Sequence, residues 1–164
     1  MSKVENFTLH NDRGESILDI ELLNWRKYYP NDNTGIFGPI MKYSWHVDEV
    51  IYEIQKPKKQ SWEALPDATG FICFESDSKP DNCTLLDAYG KERMRLSVPW
   101  KMTGATSPEA EQASTFGLVS EPYVNPADSK KGKFGVDGWV GQGKYYFELD
   151  YHTGQFLWCK PIRD

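Results

Sequence analysis

Three stretches constrain this chain most, because each joins a turn to flanking residues of period two. Asn11-Asp12-Arg13-Gly14 follows Phe7-Thr8-Leu9-His10 and precedes a run from Glu15 to about Trp25. In that run Leu18, Ile20 and Leu22 alternate with Asp19 and Glu21. Asp87-Ala88-Tyr89-Gly90 repeats the pattern between Cys83-Thr84-Leu85-Leu86 and a run from Lys91 to Trp100. There Met94, Leu96 and Val98 alternate with Arg93, Arg95 and Ser97. Asn or Asp first and Gly fourth suit a type I turn closed by a left-handed residue, the bulged hairpin loop. At the end of the chain Tyr145, Phe147, Leu149 and Tyr151 form one strand face. His152-Thr153-Gly154 turns, and Phe156-Leu157-Trp158-Cys159 returns before Pro161. Period two marks a half-buried strand. The expected fold is therefore mainly β: antiparallel hairpins over 7–25, 83–100 and 144–160, sandwich or barrel-like, with one or two short helices. The turn chemistry alone accounts for the likeness of the first two hairpins, which makes it a weak sign of duplication.

Between the hairpins the pattern is less decisive. Phe71-Ile72-Cys73-Phe74 reads as a buried central strand. In 45–55, Val47, Val50, Ile51 and Ile54 fit a helical stripe, while Val50, Tyr52 and Ile54 fit a strand equally well; Pro57 ends either. Ser61-Trp62-Glu63-Ala64-Leu65 suits one helical turn before Pro66. Ser107-Pro108-Glu109-Ala110-Glu111, with its cap residue, first-turn Pro and acids, opens a short helix. Tyr28 to Pro39 and Thr115 to Gly143 read as long, Gly- and Pro-bearing loops.

At 164 residues the chain suits one domain, 1–164, that needs no disulfide or metal staple. Cys73, Cys83 and Cys159 form no metal-binding or redox spacing. Cys73 and Cys159 sit among apolar neighbours, which disfavour a thiolate and mark them as structural. Met1-Ser2-Lys3-Val4-Glu5-Asn6 lacks the apolar core of a signal peptide, and no apolar run approaches a membrane span. The expectation is a reduced, cytoplasmic protein, in which Asn6-Phe7-Thr8 and Asn82-Cys83-Thr84 carry no meaning as glycosylation sequences.

Charge narrows the partners. The net charge is −5, and residues 1–55 hold nine Asp or Glu against five Lys or Arg. That balance excludes a nucleic-acid binder, whose phosphate contacts need clustered cations. Lys56-Pro57-Lys58-Lys59 reads as a solvated loop.

No motif assigns catalysis, a metal or a cofactor. Glu148 and Asp150 share a strand face with Tyr146, the kind of pair glycoside hydrolysis uses. Alternating acids on a strand more often mark the wet face of a sheet. His46 beside Asp48 and Glu49 reads as a solvated acidic patch rather than a ligand set. The glycines of 132–143 match no phosphate loop and suit turns.

What distinguishes the chain is its aromatic share, 14%, beside an acidic front half. Carboxylates steer a basic partner and aromatic rings anchor it. The densest set is Tyr28, Tyr29, Trp45, Asp48, Glu49 and Tyr52. The reading is a non-catalytic module that binds another protein, a basic one. It shares this character with small acidic inhibitors such as bacterial immunity proteins, with no family resemblance implied. The alternatives are a β domain for carbohydrate or another small ligand, and a hydrolase using Glu148 and Asp150.

Overall fold

The computed structural model describes residues 2–21, 37–127, 130–131 and 134–162. Antiparallel strands dominate them, with a 3-10 turn at Trp100–Thr103 and a short helix, α1, at Pro108–Gln112. The mainly β expectation holds. The chain divides into two compact units, Met1–Phe71 with Leu86–Lys91, and Ile72–Leu85 with Glu92–Asp164.

The first unit holds β1 (Glu5–Asn11), β2 (Ser16–Leu18), β3 (Ile40–Val47) and β4 (Val50–Gln55) in the order β2-β1-β3-β4. Phe7 and Leu9 of β1 and Tyr43, Trp45 and Val47 of β3 are buried. They alternate with more exposed neighbours, as a sheet with one covered face requires. In the second unit β9 (Ser114–Ser120), β12 (Gly135–Val140), β13 (Gly143–Asp150) and β14 (Gln155–Pro161) form a sheet ordered β14-β13-β12-β9. β10 (Val124–Asn125) and β11 (Lys130–Lys131) form a separate ribbon. A further sheet has the order β5 (Gln60–Ala64), β6 (Gly70–Glu75), β7 (Cys83–Asp87), β8 (Glu92–Leu96). The chain passes from one unit to the other along β6 and β7. β6 is the expected buried strand, with Phe71, Ile72, Cys73 and Phe74 all inside.

The three hairpin turns form as their residues dictate. Asn11 Oδ1 accepts the amides of Arg13 (3.0 Å) and Glu15 (2.8 Å), and Gly14 is left-handed at φ 77°. Asp87 Oδ1 accepts the amides of Tyr89 (2.9 Å) and Lys91 (3.0 Å), and Gly90 has φ 79°. Asp150 Oδ1 accepts the His152 amide at 3.0 Å, before Gly154 at φ 79°. In each case one side-chain acceptor closes the turn and glycine supplies the positive φ.

Several expectations fail for identifiable reasons. The strand expected over 15–25 stops at Leu18, and residues 19–21 are helical. Leu18 and Leu22 stand four apart as well as two plus two, and Leu, Ile and Glu tolerate a helix well, so a short run satisfies both periods. The strand expected to run to Trp100 ends at Leu96; Pro99 removes a ladder donor and precedes the 3-10 turn. Residues 61–64 belong to the strand β5, with Trp62 buried. The open case at 45–55 resolves as two strands joined by Asp48 and Glu49, both left-handed at φ 50° and 69°. That is a two-residue primed turn built without the usual Asn or Gly. Thr115 to Gly143 is largely sheet. Its glycines mislead because Gly117 and Gly135 are there for close approach: a Cβ would strike the Asp137 carboxylate at the first and the Tyr146 ring at the second. Gly141, at φ 61°, does serve a turn.

Candidate functional site

In the first unit a train of aromatic rings leads from core to surface. Phe71 meets Trp45 edge-on at 5.0 Å. Trp45 stacks on Tyr52 at 5.9 Å and 16°, and Tyr52 meets Tyr89 edge-on at 5.6 Å. Trp45 and Tyr52 face each other across the β3–β4 ladder, which sets the stacking. Trp45 is 3% exposed and its indole N–H donates to the Ala88 carbonyl at 2.8 Å. Tyr52 is half-buried, and Tyr89, at the tip of the β7–β8 turn, is 41% exposed.

The acidic turn lies at the surface end of this train. Ser2 Oγ donates to Asp48 Oδ2 at 3.3 Å and shares a 2.9 Å hydrogen bond with the Tyr89 hydroxyl. One serine thus ties the β3–β4 turn to the outermost ring. Asp48 and Glu49 are both exposed, and the next residues, Val50 and Ile51, are 55% and 62% exposed.

Of the residues the sequence singled out, Asp48, Glu49 and Tyr52 gather here. Trp45 belongs to the same train but is buried, stacked beneath Tyr52. Tyr28 and Tyr29 lie outside the described residues. Tyr89 was missed, although its place in Asp87-Ala88-Tyr89-Gly90 puts a large ring at a turn tip, where burial is hard to achieve.

The outer face of the same sheet is polar. His10 Nε2 and Ser44 Oγ are 2.7 Å apart, and Lys42 Nζ lies 3.5 Å from Glu53 Oε1. Desolvation, helped by the Lys42 ammonium, holds the His10 imidazole below its ordinary pKa against the opposing pull of Glu53. His46 lies on this face, paired with Ile51, with Nδ1 buried and unpartnered.

In the second unit the expected wet face at Glu148 is buried. Tyr146 is covered by Tyr123 at 4.9 Å, and Glu148 Oε2 accepts the Trp158 indole N–H at 2.7 Å. Asp150 is committed to the β13–β14 turn, and the His152 amide holds its carboxyl below the ordinary range. Each acid is thus engaged by a different structural hydrogen bond.

No disulfide joins Cys73, Cys83 and Cys159. Burial raises the Cys83 thiol far above its ordinary pKa and raises Cys159 too, and Cys73 is buried. Such thiols are poor nucleophiles. Among the described residues no group of three or more His, Cys, Asp or Glu side chains is placed to hold a metal ion. Among them also, no helix is long and apolar enough to cross a membrane.

No protein-family model matches the chain, and no curated protein sequence matches it. A solved structure does: a chain from the structure of Tne2 in complex with Tni2 superposes with a TM-score of 0.65 at 11% identity, covering 98% of this chain and 99% of that one. At that identity the likeness shows a shared fold.

Proposed function

We propose that this chain is a non-catalytic protein-binding module of the inhibitor or immunity type, and that its partner is a basic protein. The observation that carries the reading is the meeting of the exposed Tyr89 ring, the Tyr52 ring behind it and the Asp48–Glu49 turn at one place on one unit. Aromatic rings backed by rigid packing anchor interfaces at low entropic cost, and carboxylates beside them steer a cationic partner. The fold lends support, since a chain of the same fold occurs in a structure of two proteins in complex. The buried Glu148 and the turn-capping Asp150 favour no competing hydrolytic reading.

The test is affinity capture from the native lysate at low and high salt, with the wild-type chain beside Tyr89→Ala and a charge-reversed Asp48→Lys/Glu49→Lys variant. The expected result is a specific basic protein, with slower association for the charge variant and faster dissociation for Tyr89→Ala. Truncation of a true anchor costs about 2 kcal/mol or more, roughly a thirtyfold loss of affinity. Equal capture by all three chains, or capture that ignores salt, overturns the proposal.

A further inference from the structure

We infer that the partner docks by adding a strand to the open edge of β4, as an extended segment carrying basic residues. This rests on the protein-binding reading above and deepens it, because it names the backbone groups that make the contact.

Hydrogen-bond phase sets which backbone groups of β4 face outward. The Lys56 amide donates to the Met41 carbonyl at 2.8 Å, and the β3–β4 register pairs Tyr43 with Ile54, Trp45 with Tyr52 and Val47 with Val50. In an antiparallel ladder, hydrogen-bonded pairs alternate with non-bonded ones. Val50, Tyr52 and Ile54 therefore spend their backbone groups on β3. Those of Ile51, Glu53 and Gln55 point away from it. β4 is the last strand of its sheet, so these outward groups have no strand partner among the described residues.

Edges of this kind are usually blunted by bulges, shortness or proline. The other edges of the two sheets confined to a single unit follow that rule. β2 has three residues, and β9 and β14 each pair through a bulge. β4 has six residues in unbroken register, with no proline and with Ile51 62% exposed. It is the edge left ready for β-strand addition.

Charge selects the occupant. A second copy of this chain, laid antiparallel with its outward residues 51, 53 and 55 opposite these, would set Glu53 against its own counterpart, and directly opposed like charges destabilise a pair. Asp48 and Glu49 add two more carboxylates at one end of the edge. Lys42 answers Glu53 only from the neighbouring strand, at 3.5 Å, with the Glu53 side chain still 56% exposed. A segment with a cation opposite Glu53, an apolar residue over Ile51 two positions further along the same face, and a second cation two positions beyond that, toward the turn, satisfies each feature at once.

The test uses the full chain, isotope-labelled for amide spectra, and a capped peptide built on Lys-Thr-Val-Thr-Lys, which sets a cation, an apolar residue and a second cation along one face. The same peptide with both lysines replaced by glutamate serves as its counterpart. The expected result is saturable binding of the basic peptide with half-saturation on the order of 1 mM or tighter. Exchange should slow several-fold at the Ile51, Glu53 and Gln55 amides, with the already bonded Val50, Tyr52 and Ile54 unchanged. Glu53→Pro removes an outward N–H and no bond of the β3–β4 ladder, so it should abolish that protection; Glu53→Lys should weaken it without the backbone change. Binding that moves Tyr52, Tyr89 and Asp48 signals but leaves 51, 53 and 55 unprotected overturns the edge while sparing the surface reading. Equal binding of the acidic peptide, or retained protection in both variants, also overturns it. No perturbation anywhere on the first unit defeats both.

Discussion

Asn82 offers the sharpest test of how the second unit holds together. Its side chain is buried, and it stands in for a missing piece of strand. Oδ1 accepts the Phe116 amide at 2.8 Å, and Nδ2 donates to the carbonyls of Phe116 (3.1 Å) and Glu75 (3.0 Å). Asn82→Ala deletes three hydrogen bonds, each contributing about 1 kcal/mol net, and leaves an interior N–H and carbonyls without those partners, at about 1–3 kcal/mol more. The expected loss is about 4–6 kcal/mol, at the exceptional end for a single substitution. Asn82→Asp keeps the acceptor for Phe116 but turns a carboxylate toward two carbonyls that have lost their donor, so at neutral pH it should be no better. A carboxyl group so placed has its pKa raised on folding. Its penalty is therefore relieved below pH of about 4, where the protonated acid donates again. Urea unfolding measures the loss, and hydrogen exchange at the Phe116 amide localises it. A loss under about 1 kcal/mol with slow exchange at Phe116, or an Asp variant as stable as wild type at pH 7, refutes the reasoning.

Two further outcomes follow from other residues. Gly90→Ala combines a left-handed backbone with a Cβ 3.2 Å from the Trp45 and Trp62 rings, whereas Gly14→Ala meets the same φ with nothing within 4 Å. The second should cost about 1–2 kcal/mol for the backbone alone and the first measurably more, with a changed near-ultraviolet signal; equal losses in thermal unfolding would deny the ring contact any weight. Glu75 is hydrogen-bonded by Arg95 at 2.7 Å and paired with Lys79 at 3.1 Å, which lowers its pKa from 4.5. Its contribution is present above that value and lost as pH falls through the lower folded one, so Glu75→Gln should flatten acid unfolding in that window; parallel pH profiles for the two proteins count against the pairing.

How much was legible in the sequence depended on whether local chemistry or distant packing made the decision. The turns at Asn11, Asp87 and Asp150 were legible because one side chain and one glycine determine each of them. The primed turn at Asp48–Glu49 was hidden, because acids stand where Asn-Gly normally signals φ above zero. The strands in 114–140 were hidden by glycines that admit the Asp137 carboxylate and the Tyr146 ring, contacts no local pattern records. Asp48, Glu49 and Tyr52 were found as neighbours because a tight turn keeps them close in sequence. Ser2 and Tyr89 were not, since the hydrogen bond that joins them spans most of the first unit's sequence.

The excursion by which Leu86–Lys91 rejoins the first unit has a consequence in time. A chain emerging from the ribosome presents Trp45, Trp62 and Phe71 well before Ala88, which accepts the Trp45 indole, or Gly90, against which both tryptophan rings rest. Until residue 91 is free, the first unit has its sheet but not its keystone, and its largest rings remain open to water or to a holding chaperone. Completion of the first unit is therefore set by the arrival of a hairpin tip and not by the length of its own contiguous sequence. A nascent chain stalled just after β6 and one stalled past β8 should accordingly differ sharply in protease resistance over residues 40–71.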